Sequence, residues 1–273
     1  MRDLALPVID AKPRQIAQLP QKDAGTPKVN SYCVGDAIVF LNKLRGKGVK
    51  GVATSPPYNK AFNGRGKKPG SNWKNSKLMA DNYSHFEDNL PEKDYIQWQR
   101  QMLSAAVECV GKEGVVLYNI GRKIKNLSED RRQEIVDGFT VRQLVIWNRG
   151  SSHNQGGKRP SILPPIYELI YIIAGENWRL PEKYLSEFRK WGDVWRVNPE
   201  MNNPHPAPFP LEIAARMAKL ADGLIVDPFA GSGTIGIAAQ EIGLPFILND
   251  LSPEYQKMFY ERQTEHFAHR RLL

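Results

Sequence analysis

Residues 223–243 read GLIVDPFAGSGTIGIAAQEIG, and residues 244–267 follow at once with LPFILNDLSPEYQKMFYERQTEHF. Each is a short apolar run, a turn, and then a stretch with helical spacing. Strands joined through helices pair in parallel and need cover on both faces, so this tandem constrains the fold more than any other feature. The alternation recurs upstream. NSYCVGDAIVFLNKL predicts a strand, a turn at Gly35-Asp36 and a helix, and GVKGVATS predicts a second strand. DYIQWQRQMLSAAVECVG sets Tyr95, Trp98, Met102, Ala105 and Val110 at helical intervals and stops at Gly111. EGVVLYNIG is an apolar run of the buried-strand kind; FTVRQLVIWNR and IYELIYIIAG are two further strands with a long polar connection between them. FPLEIAARMAKLA is a helix opened by Pro210. The expected class is α/β: a Rossmann-like, mostly parallel sheet with helices on both faces and a small inserted region. Such sheets bind ligands beyond the carboxyl ends of their strands. That rule puts Asp36, the turn at Ser55, Asp227 and Asp250 on one rim.

The turn DPFAGSGTIG carries Gly231, Gly233 and Gly236 between a strand and a helix. Taken literally it is GxGxxG, with Asp250 near the distance expected of a ribose-binding acid, so a nicotinamide or flavin enzyme is one reading. A P-loop is excluded, because Ile237 stands where the lysine belongs. A plain glycine-rich surface turn is the bland alternative. Against a dinucleotide stands Asp227 at the strand end, where a pyrophosphate wants bare amides. A ligand with an ammonium or sulfonium group is favoured by that charge, which moves the expectation towards S-adenosylmethionine.

VATSPPYN, residues 52–59, runs an apolar strand into Pro56 and Pro57 on the same rim. Neither proline can donate to a sheet ladder, and both fix φ, so the turn is rigid. The Ser55 side chain and the Pro56 carbonyl become two acceptors aimed at one place, and Tyr58 adds a flat face facing outward for stacking. An exocyclic base amine matches this pair: accepting its two N–H bonds localises the nitrogen lone pair for attack on a methyl donor. A base inside a duplex is out of reach, so it would have to be flipped out.

The chain carries 38 Lys and Arg against 29 Asp and Glu, a net charge of +9, which fits an anionic partner. Two segments interrupt the α/β pattern. Residues 59–82 hold Lys60, Arg65, Lys67, Lys68, Lys74 and Lys77 against Asp81, and residues 149–208 are rich in Pro, Trp, Lys and Arg. Both are long and polar for simple connectors. Cys33 and Cys109 are the only cysteines, so neither a disulfide framework nor a CxxC metal site is expected, and no metal is called for. Reduced thiols, no apolar run long enough for a membrane and no secretory pattern at the start fit a cytoplasmic protein.

Together TSPPYN and DPFAGSGT resemble the catalytic and cofactor motifs of the S-adenosylmethionine-dependent DNA amino-methyltransferases, which act on cytosine N4 or adenine N6. The order, catalytic motif first and cofactor loop last, resembles their permuted β group. YCVGDAIVFL, HPAPFPLEIAARM and NDLSPEY are similar to flanking segments of that group, so the resemblance spans roughly residues 31 to 260. It implies a target-base pocket at Ser55, Pro56, Pro57 and Tyr58. It implies a cofactor site in which Asp227, Pro228, Phe229, Ala230, Gly231, Ser232, Gly233 and Thr234 hold the methionine portion. Asp250 would then take the ribose hydroxyls, Leu251 the adenine ring and Asp36 the adenine amine, with His205, Pro206, Phe209 and Pro210 closing the methionine end. Lys60, Arg65, Lys67, Lys68 and Lys74 would contact DNA phosphates; Asn154, Gln155, Lys158 and Arg159 would reach base edges.

The implied organisation is an arm over 1–29, a catalytic half over 30–148, a target-recognition region with a sheet-edge strand over 149–203, and a cofactor half over 204–273. Trp178, Trp191 and Trp195 are expected in the core of a small lobe. Ser at position 55 leans the target towards cytosine N4, with adenine N6 open. Double-stranded DNA is the implied partner of a monomer or homodimer, with a cognate restriction endonuclease acting on the same site, in a prokaryotic or phage setting. Cytosine C5 chemistry is set aside, since it needs a Pro-Cys nucleophile and neither cysteine follows a proline. An RNA or protein-amide methyltransferase, an oxidoreductase and a catalytically silent DNA-binding module remain as alternatives.

Overall fold

A computed structural model of the chain describes residues 26–59, 90–121, 124–125, 128–129, 132–150, 163, 165–200 and 210–270. Ten strands are found among them: β1 (Ser31–Val34), β2 (Gly51–Thr54), β3 (Val115–Gly121), β4 (Ile124–Lys125), β5 (Ser128–Glu129), β6 (Val141–Asn148), β7 (Tyr167–Ala174), β8 (Val194–Arg196), β9 (Ile225–Asp227) and β10 (Phe246–Asp250). The helices are α1 (Ala37–Lys43), α2 (Glu92–Val110), α3 (Leu185–Trp191), α4 (Leu211–Ala221), α5 (Thr234–Glu241) and α6 (Pro253–Arg270).

Eight strands form one sheet in the order β1-β10-β9-β2-β3-β7-β6-β8, and β4 pairs with β5 apart from it. From β1 to β3 every pairing is parallel; β7 runs antiparallel to both β3 and β6, and β8 is parallel to β6. Both faces are covered. On one side Phe40, Leu41 and Leu44 of the α1 segment pack with Tyr95, Met102, Leu103 and Ala106 of α2 against Val52, Val116 and Val226. On the other, Ile213 and Met217 of α4, Ile237 of α5 and Phe259 of α6 cover Ala53, Leu117 and Leu248. This double cover is why β2 and β3 read as continuous apolar runs with every residue buried.

The caps follow from sequence. Asp36 accepts the Val39 N–H at 2.9 Å at the start of α1, and Gly111 ends α2 at φ 62°. Pro210 stands at the N-cap of α4, one position before the first helical residue. The described part of the 149–203 region is built into the main sheet, with β7 in its interior and β8 at its edge. Trp195 is buried, and Trp178 and Trp191 pack against the same core as α4 and α5. These rings therefore extend the main core instead of forming a lobe of their own. Leu169, Trp147 and their neighbours carry no sign of strand direction in their spacing, which is why the antiparallel pairings could not be read in advance.

Candidate active site

Because β1, β10, β9, β2 and β3 run parallel, their carboxyl ends share one rim. The register brings Val34 beside Asp250, Leu248 beside Asp227 and Thr54 beside Tyr118. The Gly35 turn, the 55–59 turn, Asp227 and Asp250 all lie there, as the alternation of elements predicts.

The two motifs are physically joined. Thr54, at the end of β2, donates its hydroxyl to Asp227 Oδ1 at 2.7 Å, and the same oxygen accepts the Phe229 N–H at 3.0 Å. Both side chains are buried. Burial pushes the Asp227 carboxyl up to about 7 against the pull of those two hydrogen bonds, and nearby Asp250 adds to the rise. Asp227 is thus a clamp between the catalytic strand and the glycine loop as well as a charge beneath the rim.

The loop itself turns at Gly231 (φ 49°) and Gly233 (φ 76°), a backbone that side chains rarely adopt. A Cβ on Gly233 would lie 2.1 Å from Phe259. Half-buried Asp250 ties the loop down: Oδ2 accepts the Gly231 N–H at 3.0 Å and Oδ1 the Ser252 N–H at 3.1 Å. Tyr32 donates to the Gly231 carbonyl at 2.7 Å, and Asn249 Nδ2 to the carbonyls of Gly35 and Pro228 at 2.9 and 3.2 Å. Arg262 reaches from α6 to Thr234 Oγ1 at 2.7 Å and pairs with Glu200 at 3.3 Å. Burial pulls its guanidinium below the usual range, and Glu200 opposes the shift. Phe229 stands edge-on to Trp98 with ring centres 5.7 Å apart.

These residues fit S-adenosylmethionine. A tight loop lets the cofactor approach the backbone. The Asp250 carboxylate accepts the N–H groups of Gly231 and Ser252, and a carboxylate, which only accepts, is the group type that ribose hydroxyls donate to.

At the proline turn, Tyr95 Oη donates to the Pro57 carbonyl at 2.9 Å and Arg132 Nη2 to the Tyr58 carbonyl at 2.5 Å. Arg132 also lies 5.0 Å from the centre of the Tyr95 ring. Asn59, at φ 54°, ends the turn by exchanging hydrogen bonds with the Leu90 backbone at 2.9 and 2.8 Å. With the next two carbonyls taken, no donor among the described residues reaches the Pro56 carbonyl.

Ser55 Oγ lies 2.8 Å from Tyr58 Oη and donates to Asn119 Oδ1 at 3.0 Å. Tyr58 Oη approaches Asn119 Oδ1 at 2.7 Å and Glu168 Oε2 at 2.9 Å. The Asn119 amide is oriented by donation of Nδ2 to the Leu169 carbonyl at 3.2 Å, and Glu168 by Arg149 at 3.1 Å. Tyr58 therefore departs from the expected outward-facing platform. It is half-buried, its ring edge lies where a Cβ on Gly121 would meet it at 2.7 Å, and its hydroxyl turns into the sheet. Burial and the charge of Glu168 push that hydroxyl's pKa well above its ordinary range, so it stays a neutral phenol.

Asn119, Glu168, Arg149, Arg132, Thr54 and Arg262 are the site residues that motif reading misses. Asn119 in VVLYNIG and Glu168 in YELIYIIA did carry a signal, a polar residue inside a buried strand. Leu251 is half-buried at the rim, and Asp36 holds the start of α1 with one of its carboxylate oxygens. Lys60, Arg65, Lys67, Lys68, Lys74, Asn154, Gln155, Lys158, Arg159, His205, Pro206 and Phe209 lie outside the described residues. Beyond β6 and β8, a cleft of about 840 Å³ opens between Asn148, Arg196, Glu200 and the start of α4.

A doubly wound sheet with a clamped glycine loop and an acceptor-lined proline turn on one rim defines a group-transfer enzyme of the methyltransferase class. The DNA methylase family, whose members methylate N6 or N4 amines, matches residues 49–261, and the chain belongs to it. It is accordingly an S-adenosylmethionine-dependent DNA methyltransferase of the amino class. Among relatives, the type II methyltransferase M.BglII of Bacillus subtilis is 22% identical over 85% of this chain and 68% of its own length. The DNA adenine methyltransferase YhdJ of Escherichia coli is 24% identical over 84% of this chain and 80% of its own. The cytosine-N4-specific PvuII DNA methyltransferase shares the fold, with a TM-score of 0.67 and 19% identity over 89% of either chain.

Proposed function

We propose that the enzyme methylates cytosine N4 on a base flipped out of double-stranded DNA at a specific site. The observation carrying the choice of an amine is the oxygen cluster at the proline turn. Ser55 Oγ and the Pro56 carbonyl accept the two N–H bonds of the amine, and Asn119 fixes the serine hydroxyl from behind. Accepting both bonds draws the nitrogen towards sp³, and its lone pair turns towards the methyl donor. The donor, when bound, supplies an electrophilic methyl group: an N–C bond forms, the S–C bond breaks and its electron pair stays on sulfur. The rigid turn would hold the amine nitrogen in place for displacement at that methyl group.

Asp227 and the backbone from Pro228 to Thr234 hold the methionine portion, and Asp250 the ribose hydroxyls. Leu251 and Asp36 serve the adenine end. Serine at position 55, in place of an acid or amide, favours cytosine. The basic 59–82 segment supplies phosphate contacts, and the cleft beside Asn148 and Arg196 faces the same substrate. A restriction endonuclease cutting the same site is the natural partner, in keeping with the type II methyltransferase among its relatives.

The test incubates the protein with labelled S-adenosylmethionine and unmethylated DNA, digests the DNA to nucleosides and identifies the product by mass. N4-methylcytosine is expected. N6-methyladenine would overturn the choice of base, and DNA left unlabelled despite cofactor binding would overturn the reading as a whole.

A further inference from the structure

Transfer of a methyl group leaves the amine nitrogen with one proton too many, and Ser55 alone has no capacity to keep it. We infer that Ser55, Tyr58 and Glu168 form a proton relay that removes it, with Arg149 holding the terminal carboxylate. The inference rests on the amine reading above.

The geometry is continuous: Ser55 Oγ to Tyr58 Oη is 2.8 Å, Tyr58 Oη to Glu168 Oε2 is 2.9 Å, and Glu168 Oε1 is held by Arg149 Nη1 at 3.1 Å. Four oxygen–oxygen contacts of 2.7–3.0 Å link Ser55, Tyr58, Asn119 and Glu168. Two hydroxyl hydrogens serve them all, since a carboxylate and an amide oxygen only accept. The cluster is therefore poor in protons and suited to receive one. Glu168 has no packing reason to sit on an interior strand that is otherwise apolar from Leu169 to Ala174. Its burial is costly unless the carboxylate is paired, and Arg149 with Tyr58 meets that need.

The step balances. The Ser55 hydroxyl turns from Asn119 Oδ1 to Tyr58 Oη, 2.8 Å away; the amine proton then passes to Ser55 Oγ as the serine hydroxyl proton passes to Tyr58 Oη and the phenolic proton to Glu168 Oε2. Both hydroxyls are restored and Glu168 ends as a neutral acid, which returns its proton to solvent after product leaves. The amide of Asn119 takes no proton; it holds the two hydroxyl oxygens in register. Charged and titratable groups facing Glu168 among the described residues are Arg149 and Tyr58, with Arg132 and Tyr95 behind Tyr58. Glu168 is thus a positioning residue with a proton-accepting role, acting through Tyr58 and Ser55.

Glu168→Gln keeps the size and a hydrogen-bonding group beside Tyr58 but cannot take the proton at physiological pH. The measurements are the single-turnover rate of methyl transfer at saturating S-adenosylmethionine and, separately, cofactor affinity. Glu168→Gln should run about a hundredfold slower, a general-base loss, at unchanged cofactor affinity, and Glu168→Asp, which restores a carboxylate, should recover part of the rate. Tyr58→Phe keeps the ring and the Glu168–Arg149 pair while cutting the relay, and should lose rate likewise at unchanged cofactor affinity; it serves if Glu168→Gln does not fold. Folded Glu168→Gln or Tyr58→Phe with the wild-type rate would overturn the relay. Wild-type protein that places no methyl group on a DNA amine would instead overturn the reading beneath it.

Discussion

Replacing Asp227 by Asn removes a charge but keeps a side-chain oxygen for the Thr54 hydroxyl at 2.7 Å and the Phe229 N–H at 3.0 Å. The carboxyl of Asp227 is pushed from 3.8 up to about 7, chiefly by burial. A rise of about 3 pKa units at 1.36 kcal/mol each corresponds to roughly 4 kcal/mol. The sign follows from proton counting. Between about pH 4 and pH 7 the native protein keeps a proton on Asp227 that the unfolded chain has already lost. Stability therefore falls as pH rises through that window, and is flat above it, where both states are ionised. An asparagine feels none of this. In thermal unfolding without cofactor, Asp227→Asn should match wild type near pH 4. It should pull ahead as pH rises, and by pH 8 melt higher by on the order of 10 °C for a chain of this size. The same variant should bind S-adenosylmethionine more weakly, because the carboxylate proposed to meet the cationic ligand is gone. A melting difference that does not change with pH, or an asparagine variant less stable at pH 8, would refute the assignment of a buried, strained charge.

Gly233→Ala should destabilise by about 2–4 kcal/mol, combining a left-handed backbone with crowding of the Phe259 ring; urea unfolding and cofactor titration should both register it. Gly121→Ala places a Cβ against Tyr58 Cε2 and forces the ring to move. It should cut single-turnover methylation by tenfold or more, on the scale of a roughly 1 Å misplacement, while the Kd for cofactor stays within about twofold.

The parallel half of the fold was legible because Ile225–Asp227 and Phe246–Asp250 are short apolar runs, each closed by an aspartate and followed by a helix. Strand-end position alone then put Ser55, Asp227 and Asp250 on one rim. The antiparallel run of β7 was not legible, since a strand buried on both faces reads the same in either direction. The polar network behind Ser55 escaped for a different reason. Tyr58 and Glu168 are 110 residues apart, and no spacing rule spans such a distance; only the lone acid in a buried strand hinted at a partner. Tyr58 shows how a side chain's orientation can escape the sequence. Its place after two prolines suggested a ring facing solvent, but the Glu168 carboxylate and the Asn119 amide draw the hydroxyl inward, and the glycine at 121 leaves room for the ring to follow. Trp195 joined the main core for a similar reason, because β8 pairs with β6 and carries it under α4.

The central claim is a division of labour, in which the proline turn acts on the amine and the glycine loop holds the methyl donor. Ser55→Ala tests it in one protein preparation, by measuring S-adenosylmethionine affinity and the single-turnover rate of methyl transfer to DNA side by side. The account predicts a rate lower by about a hundredfold or more, the scale of losing one preorganised hydrogen-bonding group at a reacting centre, with cofactor affinity within about twofold of wild type. Comparable losses in rate and affinity would contradict it.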